Sequence, residues 1–520
     1  MQIVKEYIRI FTVIALSISY FHCGQVFQQG KQNSNDLLFL VLATQLTQPN
    51  CGPSGNGFWA RNVQTNFSDC IARTLVSSGN HINIYLESGL STSLDYESLA
   101  NSFDTSIYPK LVNAFGESSD INGDGKIDLF ILDIRDGAKP NEPFVAGFFD
   151  PVDFYPDNRR SAVRSNQREI LYMDGKELVG LLKDDPQAFG STLAHEFQHL
   201  IRFPHMQKLG VEDDVWINEG TSEVASDIGG FGPQTQRLKC LVGDIGSPCS
   251  GGANSVSLIN WSSNTSGDRY YILKQYSYAY AFMRYLYDNA GLSELSKSEF
   301  LRQSVNGNFN NIRGNTAINL MTLLRESTGN TATNPSNPIG ISSQDSFQIL
   351  LNGFWGQMVP SSNLGSSTRS NSLPSSWDLS NLLTEFPLGA TLGPFATASY
   401  PKRTSLPSQL PAGSAVFVQG DKSGSVSTLT TTTKLSSIPN SSDSILVYGE
   451  SNKLDSVNIY FQVVEGKMAS STSLERFSEP IIQSKPNNWL RWQKDRADDP
   501  SNITGEGAIP LCGHPFLAAR

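Results

Sequence analysis

Histidine is scarce in this chain, with six among 520 residues. Cysteine is equally scarce. There are six, and no two stand in a C-x-x-C pair, which argues against a sulfur-ligated zinc site. Positive charge is the minority sign. Lys and Arg number 39 against 49 Asp and Glu, and the formal net charge is −10. With no basic cluster on view, a nucleic-acid partner is disfavoured. Hydrophobic residues at 39% still provide for a core, so the chain is not of the disordered class. Its length exceeds one typical domain and predicts two or three.

The first 23 residues read as a targeting signal. Lys5 and Arg9 precede the apolar run "IFTVIALSISYF" (10–21), which is too short to span a bilayer as a mature helix, and Cys23 follows. The pattern resembles a bacterial lipoprotein signal, in which that cysteine is lipidated and attaches the protein to the outer surface. His22 stands where that pattern has a small residue. The second apolar run, "LLFLVLATQL" (37–46), reads either as a core element or as a continuation of the targeting segment. Local spacing favours Cys51–Cys70 and Cys240–Cys249 as disulfides in an oxidising compartment and leaves Cys512 odd.

Three runs, "HINIYLES" (81–88), "KIDLFILDI" (126–134) and "REILYMD" (168–174), predict strands. Helical spacing then takes over at 187–203, 217–230 and 276–291. Strands followed by helices make an α+β unit. Residues 24–75 read as an N-terminal segment, pro-region or linker, and 76–355 as the main domain. A Ser/Pro/Asn-rich linker covers 356–385. Short alternating runs such as "SAVFVQG", "SVSTLTTTT", "DSILVYGE" and "SVNIYFQVVE" predict an accessory β-sandwich in 386–520.

The chemistry concentrates in "STLAHEFQHLI" (191–201). In a helix His195 and His199 share one face and can hold one metal ion. Neutral imidazoles suit zinc, and Glu196 beside them suits proton transfer from water. Phe189, Leu193, Phe197, Leu200 and Ile201 supply an apolar face, and Pro204 is expected to end the helix. Satisfied core histidines are the bland alternative, yet so few histidines rarely produce this pattern by chance. A catalytic zinc needs a third protein ligand and an open fourth position. "WINEGTSE" (216–223) offers Glu219, twenty residues past His199, on a helix that can return antiparallel. Glu223, one turn on, could accept a hydrogen bond from a ligand histidine. His205 competes as third ligand from beyond Pro204.

"HEFQHLI" followed by "WINEGTSE" resembles the hyicolysin family of secreted bacterial zinc metallopeptidases, within the gluzincin group. "VAGFFDP" (145–151), "SNQREILYMD" (165–174) and "YSYAYAFMRYLYD" (276–288) share the resemblance, which spans roughly 75–300. It implies a zincin-like α+β domain with an active-site helix, zinc on His195, His199 and Glu219, Glu196 as general base and acid, and a protein or peptide substrate. Gluzincins commonly add a Tyr or His that hydrogen-bonds the oxyanion. Tyr276 or Tyr278 fills that role, and the sequence does not rank them.

"DINGDGKID" (120–128) places Asp120, Asn122, Asp124 and Asp128 at calcium-loop spacing, with Gly125 at the sharp turn. The twelfth position holds Ile131 instead of an acid, so Asp133 or water would complete a Ca2+ site. The alternative is a polar turn into the following strand. For the whole chain, the reading is an exported zinc endopeptidase. A catalytically inactive surface adhesin on the same scaffold is the alternative, disfavoured because both histidines, Glu196 and Glu219 are present.

Overall fold

A computed structural model describes residues 49–327 except 52–54, 140–141, 210–212, 244–246, 250–251, 254–255, 260–267, 269, 291–293 and 307–313, together with Phe354 and the short segments 415–418, 445–448, 453–454, 459–460 and 512–517. The leader with Cys23, the run at 37–46, the linker at 356–385 and most of 386–520, including "SVSTLTTTT", lie outside the described residues. The account below concerns the compact unit Pro49–Arg520.

Its strands are β1 (Gly57–Arg61), β2 (Ser68–Ser78), β3 (Ile82–Glu87), β4 (Ile127–Leu132), β5 (Pro143–Phe149) and β6 (Ile170–Asp174). They lie in the order β1-β2-β3-β4-β6-β5, and Cys512–Leu517 adds an antiparallel strand beyond β5. β3, β4 and β6 run parallel, and β5 returns antiparallel on β6. The three strands expected from sequence are β3, β4 and β6. β1 and β2 fall largely in the segment read as pro-region or linker. The Ser, Asp, Arg and Thr content of β2 hides the alternation, and only one of its eleven residues is fully buried.

Every residue of β4 and β6 is buried. Odd and even side chains go to opposite faces. Ile127, Leu129, Ile131, Leu171 and Met173 join the helices in the main core, while Phe130, Leu132, Ile170 and Tyr172 pack with Phe58 and Phe148 on the other face. Burial on both faces explains why "IDLFIL" reads as a nearly continuous apolar run.

Helices α1 (Tyr96–Ser102) and α2 (Tyr108–Phe115) join β3 to β4, and α3 (Glu177–Leu181) follows β6. α4 (Ala188–Leu209) crosses the main core with Phe189, Leu193, Phe197, Leu200 and Ile201 buried. Phe197 packs on Phe103 and Tyr108, with ring centroids 5.2 and 5.7 Å away. Burial of each such side chain contributes about 1.5–3 kcal/mol. The helix does not stop at Pro204, as the sequence predicted, but continues for another turn with Met206 buried. Proline removes one hydrogen bond, and the docked side chain beyond it keeps the helix going.

α5 (Val215–Ser226) packs between α4 and α7 (Tyr271–Asn289), with α6 (Thr235–Val242) alongside α7. Arg202 near the end of α4 donates to both oxygens of Asp213, at 2.8 and 2.7 Å, and so ties the entry of α5 to α4. Gly220 permits close approach of α5 to α7. A Cβ there would lie 2.9 Å from the Ala279 carbonyl oxygen and 3.1 Å from Met283 Cβ. α8 (Glu294–Asn306) and α9 (Ala317–Ser327) close the helical layer, and Phe354 stacks on Tyr278 in the same core. Both expected disulfides, Cys51–Cys70 and Cys240–Cys249, are formed.

Candidate metal centre

Four-residue spacing on α4 stacks His195 and His199, and their Nε2 atoms lie 3.1 Å apart. α5 brings Glu219 Oε2 to 3.3 Å from His195 Nε2 and 3.4 Å from His199 Nε2. All three residues are buried. A tetrahedral ion with bonds of about 2.0–2.1 Å has ligand–ligand edges of about 3.3–3.4 Å. The observed triangle is close to one face of that tetrahedron.

Proton positions sharpen the fit. His199 Nδ1 lies 3.1 Å from Asn218 Oδ1 and 3.2 Å from Ser222 Oγ. An amide oxygen only accepts, so Nδ1 carries the proton and Nε2 turns a lone pair inward. Behind His195, Glu223 Oε1 stands 3.9 Å from Nδ1, again favouring a proton on that side. Three lone-pair atoms then face one another, and a cation relieves the repulsion. Without one, protons must serve. Burial pushes the Glu219 carboxyl up, but the charge of His199 and hydrogen bonding from His195 hold it down at about 2. His195, His199 and Glu219 fit a metal ion.

Glu196 is fully buried on the next position of α4, and its charge bears on the Tyr276 phenol along with those of Glu219 and Glu223. The Tyr276 ring centroid is 6.4 Å from that of His195. Burial, then Glu219, pushes this phenol well above the ordinary tyrosine range, so it keeps its proton. Tyr278 is elsewhere, with its ring packed against Phe354 in the core. Two residues on a helix turn about 200°, so the two tyrosines cannot face one site. His205 also turns away from the histidine pair, its Nε2 3.3 Å from the Glu117 carbonyl oxygen.

Asp120, Asn122 and Asp124 share one exposed turn, in which Asp120 accepts from Gly125 N–H and Asp124 from Lys126 N–H. Gly123 and Gly125 have φ of 74° and 68°, as the polar-turn reading requires. Asp128 is not part of that turn. It is buried on β4 between Arg168, at 2.5 Å, and Asn83, at 3.0 Å. Asp133, at the far end of β4, stands 3.5 Å from Lys176 Nζ. Near it, Asp174 accepts from the N–H groups of Ile134, Lys176 and Leu178, a local cap for α3.

The sequence reading missed Asn218, Ser222 and Arg237. Asn218 could have been found, because it directly precedes Glu219 on the ligand helix. Arg237 carries no local signal. Its Nε and Nη2 lie 2.9 and 2.7 Å from Glu223 Oε1, a contact made only by tertiary packing.

No family model matches the chain. The neutral metalloprotease ShpI of Staphylococcus hyicus is 28% identical over 254 residues, covering 48% of this chain and 55% of that protein. The chain is a distant homologue of a neutral metalloprotease. It spans about half the length of that relative. The likeness supports a metallopeptidase family, in agreement with the metal-fitting cluster on α4 and α5.

Proposed function

We propose that the chain is an exported zinc endopeptidase that hydrolyses peptide bonds of protein substrates. The observation that carries this reading is the convergence of His195, His199 and Glu219 at 3.1–3.4 Å, with Glu196 adjoining. Two imidazoles and one carboxylate are a catalytic zinc set that leaves a fourth position open. Zinc bound there would supply Lewis acidity, acidifying water and polarising a carbonyl.

The protein's own groups do the rest. Glu196 accepts a proton from water as the water oxygen bonds to the scissile carbonyl carbon. The same carboxyl then gives that proton to the amide nitrogen as the C–N bond breaks. Tyr276, kept protonated by its surroundings, donates a hydrogen bond to the carbonyl oxygen as negative charge grows on it. Asn218 and Glu223 hold the two imidazoles.

Two disulfides suit an oxidising compartment and so support export. Among the described residues no helix is long and apolar enough to cross a membrane. Attachment through a lipidated Cys23 remains part of the proposal. So does Ca2+ in the turn of Asp120, Asn122 and Asp124, where it would raise the melting temperature and be undone by a chelator that spares zinc. Metal analysis of the purified protein and digestion of a denatured protein test the main reading. About one zinc per chain with cleavage is expected. Zinc without cleavage of any substrate would favour the adhesin alternative.

A further inference from the structure

Arg237 is a buried cation, 7% exposed, on a helix that contributes no metal ligand. It lies on the Glu223 oxygen that faces His195 Nδ1. Its guanidinium also sits 5.1 Å from the centre of the Tyr276 ring. One side chain therefore touches both the carboxylate behind a ligand histidine and the ring proposed to face the substrate carbonyl.

Such a group acts only if its helix stays in place. α6 is eight residues long, too short to be stable alone. Leu238 and Leu241 are buried against the core, and Gln234 N–H donates to Tyr280 OH at 3.0 Å. Cys240, three positions past Arg237 and thus on its side of the helix, is bonded to Cys249. The bridge closes a short loop at the end of α6 and pins the last turn of the helix.

We propose that Arg237 is a positioning residue of the metal centre, and that the Cys240–Cys249 bridge holds it there. The inference rests on the metallopeptidase reading above. Arg237 fixes Glu223 on the Nδ1 side of His195, which keeps the proton there and the Nε2 lone pair toward the metal. Without the guanidinium, Glu223 would be a buried carboxylate deprived of its cation, and it would turn away or take up a proton.

The test is zinc affinity, measured by competition with a chromogenic chelator on the full chain. Arg237→Met is expected to weaken zinc binding about 10–100-fold, the range for loss of a group supporting a ligand. Arg237→Lys should recover part of that loss, since an ammonium can hold Glu223 without the planar fork. A Cys240→Ser/Cys249→Ser variant, with every zinc-site residue intact, should move the same way. Adding Arg237→Met to it should then cost less than in the bridged protein. Circular dichroism establishes folding, and Arg237→Gln replaces the methionine variant if that one does not fold. Wild-type zinc affinity in a folded Met or Gln variant overturns the role of Arg237. Wild-type affinity in the bridgeless variant overturns the role of the disulfide. A wild type that binds no zinc overturns the metal reading and this inference with it. Zinc binding without peptide cleavage overturns only the peptidase reading.

Discussion

Asn218 Oδ1 stands 3.1 Å behind His199 Nδ1, while the next residue, Glu219, reaches the front of the same ring at Nε2. One dipeptide on α5 thus places Asn218 behind one proposed ligand and supplies another in Glu219. Asn218→Ala should weaken zinc binding about 10-fold or more with the fold retained. Asn218→Asp, which still accepts from Nδ1–H, should keep most of the affinity. Unchanged zinc affinity in the alanine variant would remove Asn218 from the centre.

Glu196→Gln separates the base from the ligands. Zinc should stay near one per chain, while turnover falls by a factor on the order of 10²–10⁴, the usual share of a general base. The comparison is zinc content and peptide hydrolysis at equal protein concentration. Cleavage at the wild-type rate would show that Glu196 is not the base.

The two tyrosines should part company. Tyr276→Phe should lower kcat by about 10²–10³ with zinc content unchanged, as for loss of one oxyanion donor. Tyr278→Ala should act on stability, costing about 3–5 kcal/mol as a large ring leaves a packed core. Denaturant unfolding and steady-state kinetics on both variants decide the matter. Full activity in Tyr276→Phe would refute its role.

Asp174 gives a pH signature away from the metal. Burial pushes its carboxyl up to about 7, against the pull of three backbone N–H groups. The folded state then holds a proton that the unfolded state has released, so this group's contribution to stability is full below about pH 4 and declines as pH rises toward 7. Asp174→Asn, neutral throughout, should flatten that decline. Parallel melting curves for the two proteins from pH 4 to 8 would contradict the assignment.

How much was legible follows from range. β4 announced itself because burial on both faces writes an apolar run into consecutive residues. His195 and His199 did so because a helix repeat places them. Glu219 was found through its neighbours in "WINEG". Pro204 misled, because the sequence shows the lost hydrogen bond but not the docked Met206 beyond it. Tyr276 and Tyr278 could not be ranked until α7 had a direction relative to the site. Arg237 was invisible because its partner Glu223 lies on another helix, and no spacing rule joins them.

Gly220 determines more than helix packing. With no side chain between α5 and the Ala279 carbonyl, the backbone that bears Glu219 is pressed close to α7 and fixed there. A methyl group at position 220 would push that backbone off α7 and carry Glu219 with it, although the added atom lies at a helix interface and not in the site.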